Sequence, residues 1–418
     1  MSAILLLLLQ LVLVLAAAKA CGAALRHVGQ PPVIGEMAAG LLLGPLVFGA
    51  WLPGTHAAVF PEASLPVLSG LGTLGVTLFM FIVGAELRAP EGSRSQVRAA
   101  ISIGGVGIAL PFALALAIAP TLYRGFAPDG VGYWPFAMFV AAAISVTAFP
   151  VLARILKDRG LTRSTPGRLA LGAGLVNDGV VWIFLAAVLA LAGGGSPRGV
   201  ALTLAGAALL VTVIFVLLKP LYARLLRPVA VDGEPAASAL VPVLLGLLGC
   251  AAFSEWIGLH AIFGAFLFGT CLPRDDRLLG WFSRRIEPLA IGLLMPVMFV
   301  MAGQQATPEA FGGVGPGAFA LLLGVAIAGK LVGCAAGARL NGYGWRDSLA
   351  VGSLMNARGL MELIVIRIGF DAGLIGPELF TMLFTLTLVT TVMASPLLAL
   401  LYRSAPAAEA VAVPERNA

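Results

Sequence analysis

The sequence predicts an all-α polytopic membrane protein, and three observations carry that prediction. Apolar side chains make up 60% of the 418 residues and charged ones only 11%, at a mean hydropathy of +1.00, a balance that excludes a soluble domain. The apolar residues fall into runs of the ~20 residues a helix needs to cross a bilayer. The alternating pattern of a membrane barrel occurs nowhere along the chain.

Taken in order, the runs predict about thirteen transmembrane helices. They begin near Ala3, Val33, Leu65, Ala99, Tyr133, Arg168, Gly199, Ala239, Gly258, Glu287, Gly317, Trp345 and Pro377. The eighth and ninth are expected to share a tight turn near Ser254 to Gly258.

The net charge of +6 reports topology and gives no sign of a nucleic-acid partner. Lys19 and Arg26 follow the first helix, and Arg88, Arg94 and Arg98 the third. Arg154, Lys157, Arg159, Arg163 and Arg168 separate the fifth from the sixth, and Lys219, Arg224 and Arg227 follow the seventh. Arg274, Arg277, Arg284 and Arg285 follow the ninth, Arg339 and Arg346 the eleventh, and Arg403 the last. The intervening connections hold only Arg124 and Arg198. Bases in every second connection place the N-terminus outside and the C-terminus in the cytoplasm, as expected in a bacterial inner membrane. No base precedes the first apolar run, so it reads as an uncleaved helix. The short tail 403–418 leads to the expectation that no cytoplasmic domain is attached.

The chemistry sits in the few polar residues inside these spans. Asp178, within Val176-Asn177-Asp178-Gly179, is the only acid in the apolar run from Arg168 to Leu191. A mid-membrane carboxylate costs a few kcal/mol, so a chain that keeps one uses it to hold a proton or an ion, or as hydrogen-bonding glue. The fifth span contains Ser145-Val146-Thr147-Ala148-Phe149-Pro150. Pro150 is expected to break the helix and free carbonyls, and with the hydroxyls of Ser145 and Thr147 these form a hard-oxygen environment for an alkali cation. The twelfth span carries Asn356-Ala357-Arg358-Gly359 and then Glu362, and spacing on a continuous helix would let Arg358 and Glu362 pair. Lys330 lies in the eleventh span and needs a carboxylate partner, Asp178 or Glu362, to stay charged. Glu36 is expected in the first turn of the second helix, and Glu86 at the inner end of the third. The glycines of Gly258 to Gly269 suit close helix packing. Cys21, Cys250, Cys271 and Cys334, with His27, His56 and His260, show no metal-ligand spacing, and no cofactor is expected. Broken spans in matching positions either side of the seventh helix point to inverted repeats with a site between them.

At these residues the chain resembles the monovalent cation:proton antiporter superfamily, being most similar to its Kef-type potassium efflux and plant cation/proton exchanger branch. The Ser-Val-Thr-Ala-Phe-Pro-Val-Leu-Ala-Arg run from Ser145 and the Asn-x-Arg-Gly-Leu-x-Glu-Leu-Ile-Val run from Asn356 are its specific signals. The resemblance implies an inverted-repeat fold with two crossing discontinuous helices. It implies scaffold helices in 1–98 and 239–316 that dimerise, core helices in 99–192 and 317–402, and a linker helix at 199–219. It further implies that Asp178 binds cation and proton in turn, with Asn177, Thr147 and Ser145 close by and Lys330, Glu362 and Arg358 as charge partners. Thr147 and Asp178 would hold Na+ or K+ transiently. A single Asp beside Asn177 favours one-for-one exchange, while a proton released from Lys330 would change that count. The rival transport reading is a sodium-coupled symporter of an organic anion, which needs a roomier polar cavity. An intramembrane hydrolase is disfavoured by the lack of His-Glu-x-x-His, Gly-x-Ser-x-Gly or a second mid-span aspartate.

Overall fold

In a computed structural model, residues 2–86, 94–158, 161, 164–193, 197–226, 239–273, 275–312 and 315–401 are described. Helices dominate, with no strand among the described residues. The order is α1 (Ala3–His27), α2 (Pro32–Leu43), the short α3 (Pro53–Val59), α4 (Leu65–Glu86), α5 (Arg94–Phe126), α6 (Tyr133–Ser145), α7 (Phe149–Asp158), α8 (Thr165–Gly193) and α9 (Pro197–Thr212). It continues with α10 (Lys219–Leu225), α11 (Leu240–Trp256), α12 (Ala261–Cys271), α13 (Asp276–Leu289), α14 (Met295–Gly303), α15 (Gly315–Arg339), α16 (Trp345–Met355), α17 (Leu360–Asp371) and α18 (Pro377–Leu401). Single π-helical turns at Pro45–Gly49, Val213–Leu218 and Ala290–Leu294 extend or join several of these.

Each expected start falls on a helix or within a few residues of one. Among the described residues, nine helical stretches are long and apolar enough to cross a membrane, and Tyr133–Ser145, Leu240–Trp256 and Ala261–Cys271 are shorter apolar helices. Many helices run further than hydropathy suggests. Lys19 and Arg26 lie within α1 rather than after it, Arg94 and Arg98 open α5, and Arg168 lies in α8. Arg277, Arg284 and Arg285 belong to α13, whose N-cap Asp275 accepts from the Arg277 and Leu278 amides at 2.9 and 3.1 Å. A polar helix end costs little where it reaches the headgroups, so charge marks the membrane boundary and not the helix boundary. Glu36 is the fifth residue of α2, past its first turn, because that helix starts at Pro32. Glu86 closes α4 as expected. The tail 403–418 and residues 227–238 of the mid-chain loop lie outside the described residues.

Packing brings α5 against α6, α8 and α15, and α16 against α8, α15 and α18. Elsewhere α4 packs on α12 and α14, α2 on α1 and α14, and α11 on α12. The expected turn between α11 and α12 is present, with Leu259 N donating to Ser254 O at 2.9 Å. The α12 glycines make close approaches: a methyl on Gly264 would strike the Cys250 carbonyl, and one on Gly269 the Phe81 carbonyl. With lipid as apolar as the helices themselves, such van der Waals contact holds them together.

Candidate ion-binding site

Two helices stop in mid-span and restart. After Ser145 the chain turns extended at Val146 (φ −66°, ψ 146°) and becomes helical again at Phe149 as α7. The second break runs from Asn356 to Gly359, between α16 and α17. Gly359 has φ 143° and ψ −131°, a conformation open to glycine and costly for other residues.

The two breaks cross and bond to each other. Ala148 N donates to Ala357 O at 3.2 Å, and Thr147 Oγ1 donates to Met355 O at 3.0 Å. From α8, Asn177 grips the first break from both sides: its Oδ1 accepts from Thr147 N at 2.9 Å and its Nδ2 donates to Ser145 O at 3.1 Å. The Arg358 guanidinium donates to Ile144 O at 2.5 Å and to Ala143 O at 3.4 Å, and to Glu362 Oε1 at 2.7 Å. A cation therefore caps the carbonyl end of α6, and an acid sits in the first turn of α17, each complementing a half-helix dipole.

This geometry corrects several expectations. Pro150 does not break the helix; it is the second residue of α7, where its missing N–H goes unused. Three carbonyls at the break already accept side-chain donors: Ala143 and Ile144 from Arg358, and Ser145 from Asn177. Ser145 offers the site its carbonyl, while its hydroxyl donates back to Ala141 O at 2.7 Å within α6. Arg358 and Glu362 do pair, but across a break and not along one helical face. Lys330 Nζ hydrogen-bonds neither Asp178 nor Glu362 and has no partner among the described residues. It acts on both through space.

What is left over is informative. Asp178 is 4% exposed and Lys330 0%. Asp178 Oδ1, Lys330 Nζ and both amide atoms of Asn356 are buried and lack a hydrogen-bond partner among the described residues. Buried polar atoms are nearly always paired, so these unpaired atoms are the ones free to take a proton or a cation. The described residues contain no group of three or more His, Cys, Asp or Glu able to hold a resident metal. The four cysteines are free. His56 bonds Gln304 at 3.0 Å, and His260 lines a small cleft with Ser69, Arg367 and Asp371 at the far end of α17.

One supporting residue escaped the sequence reading. Thr391 Oγ1 on α18 accepts from Arg358 N at 3.2 Å, fixing the second break from behind. Its signal was the run of Thr387, Thr390 and Thr391 in an otherwise apolar helix.

Half-helices bonded to each other through their breaks are an arrangement typical of secondary transporters. The chain belongs to the family described as "Sodium/hydrogen exchanger, transmembrane", which matches residues 11–403. It is 34% identical over 401 residues to the Na(+)/H(+) antiporter NhaS4 of Synechocystis, covering 96% of this chain and 98% of that protein. It is 36% identical over 402 residues to Cation/H(+) antiporter 17 of Arabidopsis thaliana, covering 95% of this chain but 48% of the plant protein. The chain thus spans about half the length of that plant relative. The solved sodium proton antiporter MjNhaP1 of Methanocaldococcus jannaschii shares the fold, with a TM-score of 0.66 at 16% identity over 95% of this chain and 97% of that one.

Proposed function

We propose that this protein is a secondary active antiporter exchanging Na+ or K+ for protons, in which cation and proton compete for Asp178. The observation that carries the reading is the unpartnered Oδ1 of a buried Asp178 next to Asn177, which itself grips the crossing. Thr147 spends its hydroxyl hydrogen on Met355 O, which leaves its oxygen lone pairs for a cation. Lys330 offsets the carboxylate charge when no cation is bound, and the Arg358–Glu362 pair holds the scaffold of the crossing. With one exchangeable carboxylate the stoichiometry is one for one, and a proton shed from Lys330 would raise it.

Helices within 99–192 and 317–402 form the moving core, those within 1–98 and 239–316 the static part that dimerises, and 199–219 the link. The antiporter names of the relatives support this reading over an organic-anion symporter. A mostly apolar cleft is lined by Gly179, next to Asp178, and by Phe263, Thr270 and Lys219. The protein would sit in a bacterial inner membrane with its N-terminus outside.

The test is dye-monitored proton movement in proteoliposomes on addition of Na+ or K+, without organic solute. Asp178→Asn should abolish it while the protein stays folded; normal exchange in that variant rules the assignment out.

A further inference from the structure

The second break carries a side chain for which the exchange cycle above has no use. Asn356 is 1% exposed, and neither its Nδ2 nor its Oδ1 has a hydrogen-bond partner among the described residues. The other neutral side chains at the crossing are engaged: Asn177 twice, Thr147 with Met355 O and Ser145 with Ala141 O.

Both of its chain neighbours are bonded across the junction. The residue before it, Met355, accepts from Thr147 Oγ1, and the residue after it, Ala357, accepts from Ala148 N. Thr147 N is in turn bonded to Asn177, the neighbour of Asp178. A short chain of hydrogen bonds thus links the backbone beside Asn356 to Asn177, the neighbour of Asp178, while the Asn356 amide has no partner among the described residues. A carboxamide oxygen is a neutral, hard donor of the kind that replaces water around an alkali cation. The number and field strength of such oxygens set which alkali cation is preferred. Being neutral, it can hold a cation without taking up a second proton.

We infer that Asn356 is a cation ligand that determines specificity, its carboxamide oxygen joining the Asp178 carboxylate around the transported Na+ or K+. The inference rests on the assignment of Asp178 above and adds the group that discriminates between cations.

The experiment compares wild type, Asn356→Ala, Asn356→Ser and Asp178→Asn in proteoliposomes, titrated separately with Li+, Na+, K+ and Rb+. Loss of a ligand that binds the ion throughout the cycle raises KM more than it lowers the maximal rate. Asn356→Ala should raise the apparent KM for the preferred cation about tenfold and flatten the order among the four ions. Asn356→Ser, which keeps one small oxygen, should give an intermediate KM and a changed order, and it stands as the test if the alanine variant does not fold. A lower thermal stability or maximal rate with unchanged KM and unchanged ion order in the folded variants would make Asn356 structural and overturn the inference. Failure of the Asp178 assignment is read separately, as exchange persisting in Asp178→Asn.

Discussion

The break between α6 and α7 is held by neutral groups, whereas the break between α16 and α17 contains a fully buried ion pair. In the first, Asn177 and main-chain atoms satisfy the interrupted backbone. In the second, Arg358 and Glu362 lie 2.7 Å apart at 0% exposure. Yet Arg358 also donates to Ala143 and Ile144 of the first break, while its Nε has no partner among the described residues. The neutral break borrows its charge from the other repeat, so neither half of the junction is complete alone. Because Arg358 and Glu362 neutralise each other, the second break adds no net formal charge to the junction.

Removing the borrowed charge should hurt most. Arg358→Ala strands Glu362 and two carbonyls in a dry interior, a loss of ~3–5 kcal/mol for a broken buried pair; thermal unfolding of the purified protein should show it, and an unshifted transition would refute the dependence of one break on the other. Gly359→Ala comes next, because φ 143° forces an alanine into strain of ~1–3 kcal/mol, measured in the same assay. Thr147→Val leaves Met355 O without its donor, at ~1–2 kcal/mol, and should also weaken cation affinity; a variant with normal stability and normal KM would remove Thr147 from both the junction and the site. Smallest is Arg367→Ala. Its pair with Asp371 is also i,i+4 at 2.7 Å but 20% and 40% exposed, so about 0–1 kcal/mol is expected, and a loss as large as that of Arg358 would mean that burial does not separate the two pairs.

Much of this was legible because the membrane penalises polar groups. Asp178, Lys330, Arg358, Glu362 and Asn356 stand out in apolar runs, and the structure buries all five. The partners of the backbone were not legible. Ile144 and Arg358 are 214 residues apart, and nothing local to Ile144 announces that its carbonyl is taken. Pro150 misled for a related reason: a proline signals a helix start as readily as a break, and only the tertiary crossing decides which. The Arg358–Glu362 pair was read correctly from spacing that assumed a continuous helix, which Gly359 interrupts.

One contact has an implication for how such a chain tolerates change. The bond from Ala148 N to Ala357 O joins the two repeats through main-chain atoms only. Side-chain replacement at either alanine leaves donor and acceptor in place, and of the twenty residues only proline at position 148 deletes the donor. This link between the two breaks is thus written into the polypeptide itself, out of reach of nearly every point mutation.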